Sequence, residues 1–259
     1  MKKTLSEGIP VTPPMFEPLE NKRYSEQIAH VIRERIFTQN LENGAKLPAE
    51  RQLAEELAVS RSVVRETLRM LDASGYVSIR KGPRGGIFVS QVYHKPISDS
   101  LKNLAAHGRI SVDHLFDVRL KLEPFIAMEA ARHATDSDIG RLQDLMAEAG
   151  QFIDDAAALK ARNILFHILL GDASGNPVSA MFMRSIADLL NEIAYKFLDL
   201  SCERVFFKTH LRILELVSHH KAREALKLVE KDILDVKRRL SKALQEDDKV
   251  QTLSRKSIK

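Results

Sequence analysis

From Tyr24 to about Gln39, apolar residues return every three or four positions. Ile28, Val31, Ile32 and Ile36, with Arg35 among them, follow the period of a helix that buries one face. Gly44 in "ENGAK" ends that pattern. Pro48 suits the first turn of a second helix reaching about Ala58, with Leu53 and Leu57 as its buried edge. Ser60 stands where the N-cap of a third helix belongs, and Val64, Leu68 and Leu71 face inward along it. The period then changes: "YVSI" and "IFV" flank the tip "RKGPRGG" and predict a two-stranded wing. This order of elements predicts a winged helix-turn-helix over residues 21–90.

Beyond a short link at 91–96, strand signals stop and long helical periods take over. Helices are expected at about 97–107, 111–133, 136–155, 157–173, 177–200, 204–219 and 221–246. Breaks fall at "HGRIS", "HATDSD", "DASGNP" and "SHHKA", each with glycine, proline or a capping residue. The fold class is therefore mainly α: an N-terminal winged helix-turn-helix and a C-terminal antiparallel bundle of about seven helices, over residues 97–247. Residues 1–20, with Pro10, Pro13, Pro14 and Pro18 and little apolar pattern, are expected to be disordered, and 248–259 to form a flexible tail.

Charge sharpens the picture where it concentrates. The whole chain of 259 residues carries only +5. Between Ser60 and Ser90, however, Arg61, Arg65, Arg69, Arg80, Lys81 and Arg84 stand against Glu66 and Asp72. Arg61, Arg65 and Arg69 recur at helical spacing beside the apolar seam of the third helix. Alone, such a ladder reads as a solvated face; after a tight turn and before a basic, glycine-rich tip it reads as a helix entering a DNA major groove. Gly82, Gly85 and Gly86 serve hairpin chemistry by themselves, while Lys81 and Arg84 beside them favour approach to phosphates. No apolar run approaches the ~18 residues of a membrane span, the N-terminal lysines precede no apolar stretch, and Cys202 is alone. These features point to a cytoplasmic protein without disulfides or a membrane partner.

The stretch "LPAERQLAEELAVSRSVVRETLRMLDASGYV" resembles the DNA-binding domain of the GntR family of bacterial transcription regulators, across about residues 24–90. The resemblance implies operator contacts from Arg51 on the second helix, from Ser60, Arg61, Ser62 and Arg65 on the recognition helix, and from Lys81 and Gly82 on the wing. Thr67 replaces the family's usual alanine, a change expected to bear on packing rather than readout. Val63 occupies a position often hydroxylated in relatives.

The segments "FDVRLKLEPFIAMEAARHATDSDI", "NILFHILLGDASGNP" and "THLRILELV" resemble the helical effector domain of the FadR subfamily, known as FCD. Many such domains hold a divalent metal with one aspartate and three histidines. The matching positions here are Asn163, His167, His210 and Asp232, so two of the four donors are exchanged and one carboxylate is kept. Asn163 and His167 share a helix face at i and i+4, and His210 and Asp232 flank the "HHK" turn, so a hairpin brings them level. Imidazole and oxygen donors without a thiolate suit zinc, nickel or manganese. The alternatives are core histidines that bind nothing, or a lost site in which Asp232 is salt-bridged. Arg119 lies between Leu115 and Leu122 on an inward stripe. It either pairs with Glu123 at i+4 or, as the resemblance implies, forks onto the carboxylate of a small effector, with Glu123 beside it.

The expected function is a homodimeric repressor that reads an inverted-repeat operator in double-stranded DNA and is controlled by a small organic acid. An enzyme is not expected: the chain shows no Ser-His-Asp order with a strained elbow, no His-Glu-x-x-His and no Gly-rich phosphate loop. The competing classes are a metal-dependent enzyme with a DNA-binding appendage, and an architectural DNA binder whose helical domain is solid.

Overall fold

The computed structural model describes residues 23–194 and 199–256. The expected disorder of residues 1–20 lies outside the described residues. The chain divides into two compact units, Met1–Gln91 and Val92–Lys259.

The first unit runs α1 (Arg23–Thr38), β1 (Lys46–Leu47), α2 (Glu50–Glu56), α3 (Arg61–Ala73), β2 (Val77–Arg80) and β3 (Gly86–Val89). Helix α1 buries Ile28, Ala29, Ile32 and Ile36 against α3, whereas Val31 is 49% exposed and Arg35 faces solvent, so the buried stripe is narrower than the periodicity predicts. Pro48 precedes α2 rather than opening it, and α2 stops at Glu56. Ala58 then adopts φ 52°, a left-handed conformation that costs an L residue about 1–2 kcal/mol and makes the turn into α3 abrupt. Ser60 caps α3 as its spacing predicts, its Oγ accepting from Val63 N at 3.3 Å. Val64, Leu68 and Leu71 are at most 1% exposed. Thr67 is fully buried and donates through Oγ1 to the Ser25 carbonyl at 3.2 Å, tying α3 to α1.

The wing has three strands, not two. β1 pairs antiparallel with β3 (Lys46 opposite Phe88), and β3 lies between β1 and β2. A two-residue strand is too short to display a period, so only its long-range partner reveals it. At the tip, Gly82 takes φ +99°, and a Cβ on Gly85 would lie 2.4 Å from the Arg80 carbonyl. Glycine is therefore required there by the backbone itself.

The second unit contains α4 (Lys95–Ala106), α5 (Val112–His133), α6 (Asp136–Gln151), α7 (Ala156–Ala173), α8 (Pro177–Ala194), α9 (Leu200–Ser218) and α10 (Ala222–Lys256). Helix starts follow side-chain caps: Ser111 and Thr135 form capping boxes, and Asp155 and Asp199 accept from backbone N–H groups. Several boundaries move from their expected places. Pro96 fits the first turn of α4, so the helix begins at Lys95 and takes residues from the expected link. Asp155 sets the start of α7 and ends α6 at Gln151. Asp199 starts α9 at Leu200, inside the span expected for the preceding helix. Helix α10 continues past Asp247 to Lys256 because nothing in its sequence breaks it. Helix α7, apolar around most of its circumference, packs against α5, α6, α8 and α9. Phe116, Phe166, Leu170, Ile213, Ile233 and Leu240 belong to the core that surrounds it. None of the described helices is long and apolar enough to cross a membrane.

Candidate functional site

Two constellations stand out, one in each unit. In the first, packing of Val64, Leu68 and Leu71 turns the opposite side of α3 outward, and Arg61, Arg65 and Arg69 are all exposed on it. Arg65 is held from α2: Glu50 Oε2 accepts from its Nη2 at 3.0 Å and from its Nε at 3.3 Å. With side chains 52% and 30% exposed, this pair adds little stability, but it aims the guanidinium fork. Arg69 lies 3.7 Å from Glu66, and Arg51 lies 3.7 Å from Glu55 with 81% of its side chain exposed. Ser60 Oγ meets Ser62 Oγ at 2.8 Å in addition to capping α3, so both hydroxyls are already engaged. Lys81 and Gly82 are exposed at the wing tip.

The sequence reading missed Glu50, Lys46 and Phe88, and counted Arg80 only as part of the basic cluster. Arg80 stacks 4.4 Å above the Phe88 ring and Lys46 Nζ sits 5.9 Å from it, so the sheet holds two cations, one of them new, on an aromatic plate. Glu50 is part of the quoted motif, but its partner is fifteen residues away, beyond any local spacing rule.

In the second unit, α5, α7, α8, α9 and α10 surround a cavity with about 570 Å³ of empty space, counting its open mouth. Asn163, His167, His210 and Asp232 all line it, together with Arg119 and Glu123. Donor atoms of His167, His210 and Asp232 lie within 4.8 Å of one another, and all three residues are buried. His210 stacks on Phe166 with ring centres 4.4 Å apart, and His167 meets His210 edge to face at 4.8 Å.

The test of whether these residues suit a cation is their unmet polar capacity. Asn163 Oδ1, His167 Nδ1, both ring nitrogens of His210 and Asp232 Oδ2 are buried without a hydrogen-bond partner. Buried polar atoms are ordinarily satisfied, and five unmet ones on one small cluster offer a cation Asn163 Oδ1, Asp232 Oδ2 and at most one lone-pair nitrogen from each imidazole. Burial lowers the His210 pKa, and Asp232 3.5 Å away only partly offsets it, so the ring is held in the neutral form that ligates. The chain therefore carries a His/Asp cluster whose donors fit a divalent ion.

Arg119 and Glu123 are 4% and 1% exposed and pair with each other. Glu123 Oε1 accepts from Arg119 Nε at 2.5 Å, and Oε2 accepts from Nη2 at 3.3 Å. His167 Nδ1 lies 2.8 Å from Glu123 Oε2, near enough for an ion pair but not aligned as a hydrogen bond. Burial alone would raise the Glu123 pKa; Arg119 and then His167 outweigh it and hold the carboxyl at about 2. The i, i+4 pairing is thus what the folded chain contains. It uses two of the five guanidinium N–H groups, and Arg119 still lines the cavity.

Lys160 and Glu203 also line the cavity and were not singled out from the sequence. Burial raises the Glu203 pKa, against the Asn163 hydrogen bond and Lys160, and burial lowers that of Lys160 against Glu203. The available signal was weak: Lys160 precedes Asn163 by three residues, one turn away on the same helix.

A winged helix-turn-helix with an arginine-lined helix, in one chain with a helical bundle built around a cavity that holds buried polar groups, defines the class of DNA-binding proteins that carry a ligand domain. The cavity separates the chain from an architectural binder with a solid bundle. Comparison with known proteins makes the family specific. Residues 24–89 match the bacterial regulatory proteins of the gntR family, and residues 114–234 match the FCD domain. The HTH-type transcriptional regulator LutR of Bacillus subtilis strain 168 is 34% identical over 152 residues, covering 59% of this chain and 68% of that protein. An Escherichia coli K12 protein bearing the name of an L-lactate dehydrogenase operon regulator is 37% identical over 176 residues, 65% of this chain. The chain spans just under two thirds of that relative's length, 66%. Among solved structures, Streptococcus agalactiae GntR is similar with a TM-score of 0.61 and 26% identity, over 83% of this chain and 99% of that one. The chain belongs to the GntR family of bacterial transcription regulators, in the FadR-type branch with an FCD domain.

Proposed function

We propose that the protein is a homodimeric repressor that binds an inverted-repeat operator and releases it when a small monocarboxylic acid binds, together with a divalent metal, in the cavity of the helical unit. The observation that carries the ligand reading is the set of orphaned donors on Asn163, His167, His210 and Asp232, beside the partly used guanidinium of Arg119. Zinc, nickel or manganese is the ion their chemistry suits. Asp232 lies 3.7 Å from His167 and 3.5 Å from His210, so it supplies the carboxylate that Asn163 lacks.

Charge supports a monoanion. Ligating a divalent ion requires both imidazoles unprotonated, and the lining then sets Arg119 and Lys160 against Glu123, Glu203 and Asp232, a formal balance of −1 before the ion's own charge is added. The ion brings that balance to a single positive charge, which a carboxylate neutralises. L-lactate is the first probe, since one relative carries the name of a lactate operon regulator. On the DNA side, Arg61, Arg65 and Ser62 face base edges or phosphates from α3, Ser60 contributes from its cap, and Arg51, Lys81 and Gly82 position the backbone.

Untagged protein should retain close to one equivalent of metal, and L-lactate should lower operator affinity only in metal-loaded protein. Metal below about a tenth of an equivalent after incubation with zinc, nickel and manganese would retire the metal reading. An acid response that persists in chelator would refute the charge argument.

A further inference from the structure

We propose that Asn163 and Glu203 act as one unit, which keeps a carboxylate charge at the donor cluster while setting it one hydrogen bond behind the ligating atom. The proposal rests on the metal reading above. Asn163 Nδ2 donates to Glu203 Oε2 at 2.8 Å and to the Glu203 backbone carbonyl at 3.1 Å. Two acceptors on one amide nitrogen fix the amide's orientation, so Oδ1 is the atom turned away from Glu203. That oxygen is buried without a partner and lines the same cavity as His167, His210 and Asp232. Asn163 and Glu203 are 5% and 2% exposed, so water does little to screen the carboxylate. A carboxylate accepting from the N–H side of an amide draws electron density toward its carbonyl oxygen. The same logic operates when a carboxylate stands behind a ligating imidazole and raises its donor strength.

An aspartate at this position is the obvious improvement for a cation site. In this chain it would place a carboxylate oxygen 2.8 Å from Glu203 Oε2 and 3.1 Å from its carbonyl, with no proton between them. Like charges at that distance in a buried site repel strongly. Glu203 is therefore the reason that asparagine works at 163. The two residues come from α7 and α9, so each positions the other across the bundle.

The test is a cycle of four full-length proteins: wild type, Asn163→Asp, Glu203→Gln and the double variant. Zinc dissociation constants are measured by competition with a chromophoric chelator, and melting temperatures in excess EDTA at about pH 8, above the ordinary carboxylate range. Glutamine at 203 still accepts from Asn163 Nδ2, so the single variant removes charge and keeps shape. It should weaken zinc about ten- to a hundredfold, the usual range for losing a carboxylate behind a ligand. In the Asn163→Asp background the same change should tighten zinc and raise the melting temperature, because it supplies a donor between the two side chains. This reversal of sign is what a residue important only for folding does not produce. Glu203→Gln acting in the same direction in both backgrounds, on zinc and on melting, overturns the proposal. If wild type takes up neither zinc, nickel nor manganese, the metal reading fails by itself, and the melting temperatures in EDTA still decide, by the same sign rule, whether the two residues form a unit.

Discussion

Glu123 is the anion that Arg119 faces, and Glu123→Gln removes its charge while preserving its shape. The carboxyl is held at about 2 in the folded protein against an ordinary 4.5, which corresponds to about 3 kcal/mol in favour of the charged form. An independent route gives a similar figure, since removing one member of a buried ion pair costs about 3–5 kcal/mol. Glu123→Gln should therefore destabilise the helical unit by about 3 kcal/mol at neutral pH. For a domain of this size each kcal/mol shifts the melting temperature by about 2–4 °C, so the expected fall is about 6–12 °C. A depressed folded pKa contributes stability that is complete above the unfolded value of 4.5 and is lost as pH falls toward about 2. The gap between wild type and variant should close across that window. Circular dichroism melts in chelator at a series of pH values measure it. A gap of under about 2 °C at neutral pH, or one that stays constant down to about pH 3, would refute the reasoning. Arg119→Met combined with Glu123→Leu should recover most of the loss, because no unpaired charge remains.

On the DNA side, Arg61→Ala and Arg65→Ala should each weaken operator binding by about 1–3 kcal/mol and relax sequence preference, while Lys81→Ala should weaken all sequences evenly and flatten the salt dependence. Fluorescence anisotropy against operator and scrambled duplexes distinguishes them, and wild-type affinity in Arg65→Ala would remove α3 as the reading helix. Glu50→Gln should loosen the Arg65 fork and reduce discrimination between operator and scrambled duplex, with the protein's own stability changed by less than about 1 kcal/mol. Thr67→Val leaves the Ser25 carbonyl without its buried donor and should cost about 1–3 kcal/mol in chemical denaturation; no change would mean that the 3.2 Å bond contributes nothing. Asp232→Ala should abolish bound metal by elemental analysis, and retention of a full equivalent would exclude Asp232 as a ligand.

How much was legible in the sequence depended on how local the cause was. Ser60, Val64, Leu68 and Leu71 announce α3 because capping and helical period act within a few residues. The same holds for the glycines at the wing tip, whose φ values and close approaches are set by the turn itself. His167, His210, Asn163 and Asp232 were gathered by the resemblance to the FCD domain, and i, i+4 spacing and a hairpin turn, also short-range geometry, agreed with it. What the tertiary structure decided involves partners far apart in the chain. Strand β1 exists only through β3, and Glu50 orients Arg65 across a turn. Arg119 is committed to Glu123 because the fold buries both, which makes an unpaired guanidinium too costly to keep. Lys160 and Glu203 carry no motif of their own, and their place in the cavity follows from α7 and α9 packing side by side. Local pattern determined the helices and the two longer strands; burial in a low-dielectric interior determined which charges pair and which donors are left facing the cavity.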